Sequence, residues 1–148
     1  MMNKHRKLVF LESEFIQYKY ILSDQEIRDK VAGFLFDYVS IEAFYKRLLI
    51  AERELNGITL SEKDKKRLSV NSGDVERVLR FFEIDYAPEL IDRIFGSNDK
   101  NYMDCSIKKL RDRLVHRVND NVIRVILERY DDINADLSTF IGLFDNMK

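Results

Sequence analysis

Residues 23–57 read SDQEIRDKVAGFLFDYVSIEAFYKRLLIAERELNG, and this stretch decides the fold. Ser23-Asp24-Gln25-Glu26 has the form of a capping box, in which the Ser23 hydroxyl accepts from the Glu26 amide and the Glu26 carboxylate returns to the Ser23 amide. A helix is expected to begin there. Ile27, Val31, Phe34, Leu35, Tyr38, Ile41, Phe44, Tyr45, Leu48 and Leu49 then recur at steps of three and four, the spacing of one helix face. Asn56-Gly57 supplies the stop, because glycine takes the left-handed conformation after a helix at little cost. At 1.5 Å per residue the rod is roughly 50 Å long. That exceeds what a domain of 148 residues needs internally, so part of its face is expected to pack on another subunit.

Upstream, Leu8, Leu11, Phe15, Tyr18 and Leu22 share one face of a helix expected from about Arg6 to Ile21. Downstream, Ser61 to Asp64 caps a short polar helix to about Leu68, and Asp74 caps a helix carrying Val75, Val78, Leu79 and Phe82. Pro88 opens a further short helix with Ile91, Ile94 and Phe95 that Gly96 closes. Ser97 to Asn101 reads as loop. Two longer helices follow, about Asp104 to Val118 and Asn121 to Phe144, separated at Asn119-Asp120. Five glycines and one proline are too few for a chain that turns every ten residues, which removes all-β architectures. The expectation is one all-α domain over residues 1–148, a helical bundle with a long second helix and a long C-terminal helix.

With 25 Lys plus Arg against 26 Asp plus Glu, the chain as a whole has no electrostatic bias toward nucleic acid or an anionic membrane. The single cysteine, Cys105, cannot close an internal disulfide, and with two histidines no Cys/His set suits structural zinc. Lys4, Arg6 and Lys7 precede Leu8-Val9-Phe10-Leu11, but Glu12 and Glu14 cut that apolar run short of a signal segment. No stretch approaches the roughly 20 apolar residues of a membrane span. A cytoplasmic protein with no membrane partner is the expectation. Asp131-Asp132 and Glu52 with Glu54 are the nearest acidic pairs, and their spacing reads as solvated helix faces.

One segment departs from this even charge. Ser106 to Arg117, SIKKLRDRLVHR, carries Lys108, Lys109, Arg111, Arg113 and Arg117 against Asp112 alone. On a helix Arg111 falls about 100° from Leu110, inside the apolar arc of Leu110, Leu114, Ile107, Val118 and Val115. A guanidinium there must reach solvent, pair with an acid or serve a ligand, since burying it unpaired costs several kcal/mol. An acid of the long second helix is the plain structural alternative. His116 lies four residues after Asp112, so the carboxylate can orient its ring. Arg111 and His116 are about 7.5 Å apart along the axis and about 140° around it. A compact site therefore forms more easily where two copies of this helix meet across a two-fold axis. An arginine to hold a phosphate and a histidine to move protons would need neither metal nor cofactor.

The run Arg111-Asp112-Arg113-Leu114-Val115-His116 resembles the signature of the HEPN superfamily: an Arg followed by a polar Asn, Asp or His, with a His four to six residues after the Arg. HEPN proteins are all-α bundles with the motif on a late helix before a long C-terminal one. Many are metal-independent ribonucleases that act as homodimers with a composite site in toxin–antitoxin, abortive-infection and other defence systems. The resemblance implies that Arg111 stabilises the scissile phosphate, that His116 transfers protons and that Asp112 orients the pair. RNA would be the substrate, with Lys108, Lys109, Arg113 and Arg117 binding its backbone, and a protein antitoxin would be a further partner. In HEPN toxins paired with a minimal nucleotidyltransferase, a tyrosine that the partner modifies follows the histidine by two residues. Here that position is Val118. The competing expectation is a non-enzymatic helical module that binds RNA, a nucleotide or a protein partner. Of the remaining candidates, Phe34, Phe36, Tyr38, Phe44 and Tyr45 read as core or dimer surface, and Tyr102 as a ring that could stack on a base.

Overall fold

A computed structural model describes residues 3–97, 100–118 and 120–145. Among these the chain is helical throughout, with no strand: α1 (Lys4–Ser23), α2 (Gln25–Leu55), α3 (Glu62–Lys66), α4 (Ser72–Phe81), α5 (Pro88–Phe95), α6 (Ile107–His116), α7 (Asp120–Glu128) and α8 (Tyr130–Gly142). No helix is long and apolar enough to cross a membrane among the described residues.

The long helix is the spine. Phe34, Tyr38, Ile41, Tyr45, Leu48 and Leu49 of α2 are buried, and α4, α6, α7 and α8 pack around that face. Its ends follow from local chemistry. Asp24, rather than Ser23, caps its start, accepting from the Ile27 amide at 3.1 Å, while Ser23 ends α1. At the other end Gly57 has φ +80°, in the left-handed region where only glycine is unstrained. Helix α5 fills the centre: Leu90, Ile91, Ile94 and Phe95 are all buried. The Phe95 ring meets Phe140 edge-on at 5.3 Å and lies within 6.4 Å of both Tyr38 and Tyr45. Such burial is the principal stabilising term in an all-α bundle.

Several expectations are corrected. Asn71 caps α4 through the Asp74 amide, so Asp74 lies inside the first turn. The motif helix is shorter than its apolar pattern, running from the Ser106 cap to His116, with Arg117 already extended. The long C-terminal helix is two, broken at Arg129, although backbone hydrogen bonds from Arg129 to Val125 and from Ile133 to Arg129 cross the break. The Arg129 Nη1 donates to the Tyr102 carbonyl at 3.0 Å, which ties the break to the loop before α6. Glu52 is not on a solvated face; it is 5% exposed, facing Arg77 of α4 at 3.5 Å and receiving an Asn56 hydrogen bond at 3.2 Å. Position 52 is two turns beyond Tyr45, so it continues the buried stripe. Finally, Leu8, Leu11 and Phe15 of α1 are exposed, so this face is not spent on the core. The side chains of Tyr18 and Leu22 lie outside the described residues, as does Asn119 in the break before α7.

Candidate functional site

Helix α6 is set by Ser106, whose Oγ accepts from the Lys109 amide at 3.1 Å and donates to the Gly96 carbonyl at 2.7 Å. One side chain thus caps α6 and fastens it to the end of α5. Ile107, Leu110 and Leu114 then anchor the helix in the core. That register aims Arg111 at α2. Its Nη2 donates to Glu42 Oε2 at 2.9 Å and lies 3.3 Å from Asp112 Oδ1, while the guanidinium stands over the Tyr38 ring at 5.1 Å. Lys46 approaches the other Glu42 oxygen at 3.2 Å. The arginine on the apolar arc is therefore paired with an acid of the second helix, the plain alternative given by its position.

The guanidinium is not sealed by this pairing, since the Arg111 side chain stays 23% exposed. Partial burial works against its charge, but the Glu42 and Asp112 carboxylates and Tyr38 outweigh that and strengthen it. The Tyr38 hydroxyl is buried beside Glu42 and Arg111 without a hydrogen bond of good geometry. Burial, then the Glu42 charge, raise its pKa well above the usual tyrosine range.

The opposite flank of α6 opens on solvent. Tyr102, Lys109, Asp112, Arg113, His116 and Arg117 line a groove of about 390 Å³. Three cations against one carboxylate give it a positive balance, in a chain whose formal net charge is −1. His116 is exposed at the helix end. Arg113 lies over the Tyr102 ring at 4.6 Å and donates to the Lys100 carbonyl at 2.9 Å, so one face of the ring suggested for base stacking is covered. A second cleft, about 550 Å³ between α5, the loop before α6 and α8, mixes acids with Arg93, Lys100 and Arg129. Arg93 there donates through Nε and Nη2 to the two Asp136 carboxylate oxygens, each at 3.0 Å, and the cleft does not include the motif.

Of the seven residues singled out in sequence, five converge on the groove: Asp112, His116, Lys109, Arg113 and Arg117. Arg111 joins them only through Asp112, which lines the groove and faces the guanidinium. Lys108 does not join; it is half-buried and donates to the Val70 carbonyl. The expected Asp112–His116 hydrogen bond is absent, because Asp112 turns toward Arg111. Glu42, Lys46 and Tyr38 were not singled out as site residues. Their signal is spacing: positions 38, 42 and 46 form one row of α2 that starts in its apolar stripe at Tyr38 and leaves it at Glu42. Among the described residues no three His, Cys, Asp or Glu side chains are grouped to hold a metal ion. Compared with protein-family models, curated proteins and solved structures, the chain matches none.

Proposed function

We propose that the chain is a HEPN-like, metal-independent endoribonuclease of a toxin or antiviral-defence system, cleaving RNA in a composite homodimer site. The observation that carries this reading is the convergence of His116 with Lys109, Arg113 and Arg117 in one open cationic groove that Asp112 connects to an oriented, charged Arg111. A groove of that sign suits an RNA backbone. In the reaction the ribose 2′-oxygen attacks the adjacent phosphorus and the bond to the 5′-oxygen breaks. The products are a 2′,3′-cyclic phosphate and a 5′-hydroxyl. Arg111 counters the charge that grows on the phosphate oxygens, and Glu42 and Asp112 fix its plane beforehand. His116 takes the proton from the 2′-hydroxyl, and the histidine of the second copy supplies one to the leaving oxygen. Two copies are required because Arg111 and His116 leave α6 on different flanks, the first toward α2 and the second into the groove.

A second reading, a purely structural bundle in which Arg111 is an internal ion pair, is favoured by the Glu42 contact at 2.9 Å. Cleavage of single-stranded RNA in EDTA separates the two. The wild-type protein is expected to leave cyclic-phosphate ends, and Arg111→Ala and His116→Ala each to abolish cleavage while remaining folded and dimeric. Cleavage undiminished in both variants, or RNA binding by the wild type without any cleavage, rules out the ribonuclease.

A further inference from the structure

The Tyr102 ring, expected to stack on a base, is instead covered by Arg113, whose guanidinium lies 4.6 Å from the ring centre. Both partners of this contact are held in place. Tyr102 packs against the core, and its carbonyl accepts from Arg129 Nη1 at 3.0 Å and from the Cys105 thiol at 3.4 Å, which fixes the loop before α6 at that point. Arg113 donates through Nη2 to the Lys100 carbonyl at 2.9 Å. Such a bond lies in the guanidinium plane and uses an edge, not a face. A planar cation tied at one edge and backed by a ring gives up little further freedom when a flat ligand meets it. Arg113 also lines the open groove with Lys109, Asp112 and His116, all four on one face of α6 at steps of three, one and three. At about 390 Å³ that groove has room for a base beside a phosphate.

We propose that Arg113, and not Tyr102, is the stacking residue of the groove: its guanidinium takes the face of one unpaired nucleobase of single-stranded RNA, while its charge, with Lys109 and Arg117, serves the backbone. Bases stack on arginine planes as they do on aromatic rings. A base inside a duplex is already covered on both faces, so the ligand is a single-stranded or looped segment. Purines, with the larger π-face, are preferred to pyrimidines, because stacking strength sets such preferences. His116 follows Arg113 by three residues, which places their Cβ atoms about 5–6 Å apart. The stacked base therefore flanks the phosphate that would be cut. The inference rests on RNA being the ligand of this groove, but not on its being cleaved.

Fluorescence anisotropy with the His116→Ala protein tests it, using oligoadenylate, oligouridylate and an abasic strand with the same number of phosphates. Oligoadenylate is expected to bind about 10-fold tighter than the abasic strand, with oligouridylate between them. Arg113→Lys keeps the charge but not the plane. It should weaken oligoadenylate by about 5-fold and the abasic strand by less than about 2-fold. Tyr102→Leu removes the backing ring and leaves Arg113 in place, so it should cause a smaller loss of the same base-selective kind. Circular dichroism checks that each variant keeps its helicity. Equal affinity for the three strands, or Arg113→Lys weakening adenylate and abasic strands alike, overturns the proposal and leaves the groove as a surface for the RNA backbone alone. Base selectivity that survives Arg113→Lys but is lost in Tyr102→Leu puts the base on the ring and overturns it too. No binding of any strand removes this inference and the ribonuclease together. Base-selective binding by a wild type that cuts no RNA supports the stacking and counts only against the ribonuclease.

Discussion

At Tyr38 the surroundings work strongly against ionisation. Its hydroxyl is buried beside the Glu42 carboxylate without a hydrogen bond of good geometry, so the folded chain resists its ionisation. The sign of the resulting pH dependence follows directly. A folded pKa above the unfolded value near 10 means that, as pH rises past 10, the unfolded chain loses this proton while the folded chain keeps it. The contribution is whole below pH 10 and is lost above it, at up to about 1.4 kcal/mol per pH unit for one group. Tyr38→Phe is expected to change stability by less than about 1 kcal/mol at pH 7, because no hydrogen bond of good geometry is removed. It should also make the fall between pH 10 and pH 11 shallower than in the wild type. Urea unfolding at the three pH values measures both effects, and an unchanged alkaline slope would mean that the hydroxyl ionises normally.

At the level of elements, the motif helix depends on a connection that its own sequence barely advertises. Ser106 both caps α6 and bonds the Gly96 carbonyl, so the start of α6 and the end of α5 are set by one hydroxyl. Gly96 is itself constrained, since a Cβ there would collide with the Asp92 carbonyl oxygen. Ser106→Ala removes a cap and a buried hydrogen bond together and is expected to cost about 1–3 kcal/mol in thermal or urea unfolding. RNA cleavage per folded molecule should persist, because Ser106 lies at the opposite end of α6 from His116. A neutral effect on stability would show that solvent replaces both bonds. The break at Arg129 belongs to the same scale: the apolar pattern runs through it, whereas a loop carbonyl 27 residues earlier accepts from its side chain.

For the whole molecule, a formal net charge of −1 hides the concentration of positive charge along one groove. With His116→Ala to prevent cleavage, single-stranded RNA affinity is expected to fall with salt with a log–log slope of about −2 per groove, for about three phosphates met by Lys109, Arg113 and Arg117. Arg117→Ala should reduce that slope by about 0.7, and fluorescence anisotropy across a salt series reads both. A slope near zero would remove the groove as an RNA surface. The helical class, the long second helix and the dense basic run of α6 were legible in the chain because each depends on residues within a few turns of one another. Local spacing likewise showed that Arg111 needed an acid or an anion. Only the tertiary structure decided that Glu42, 69 residues away, supplies the acid, that Lys108 turns to the Val70 carbonyl, and that the C-terminal helix breaks at Arg129. Periodicity reports which side of a helix is apolar. Which partner a charged side chain meets there is set by how the helices pack, and that depends on residues far apart in sequence.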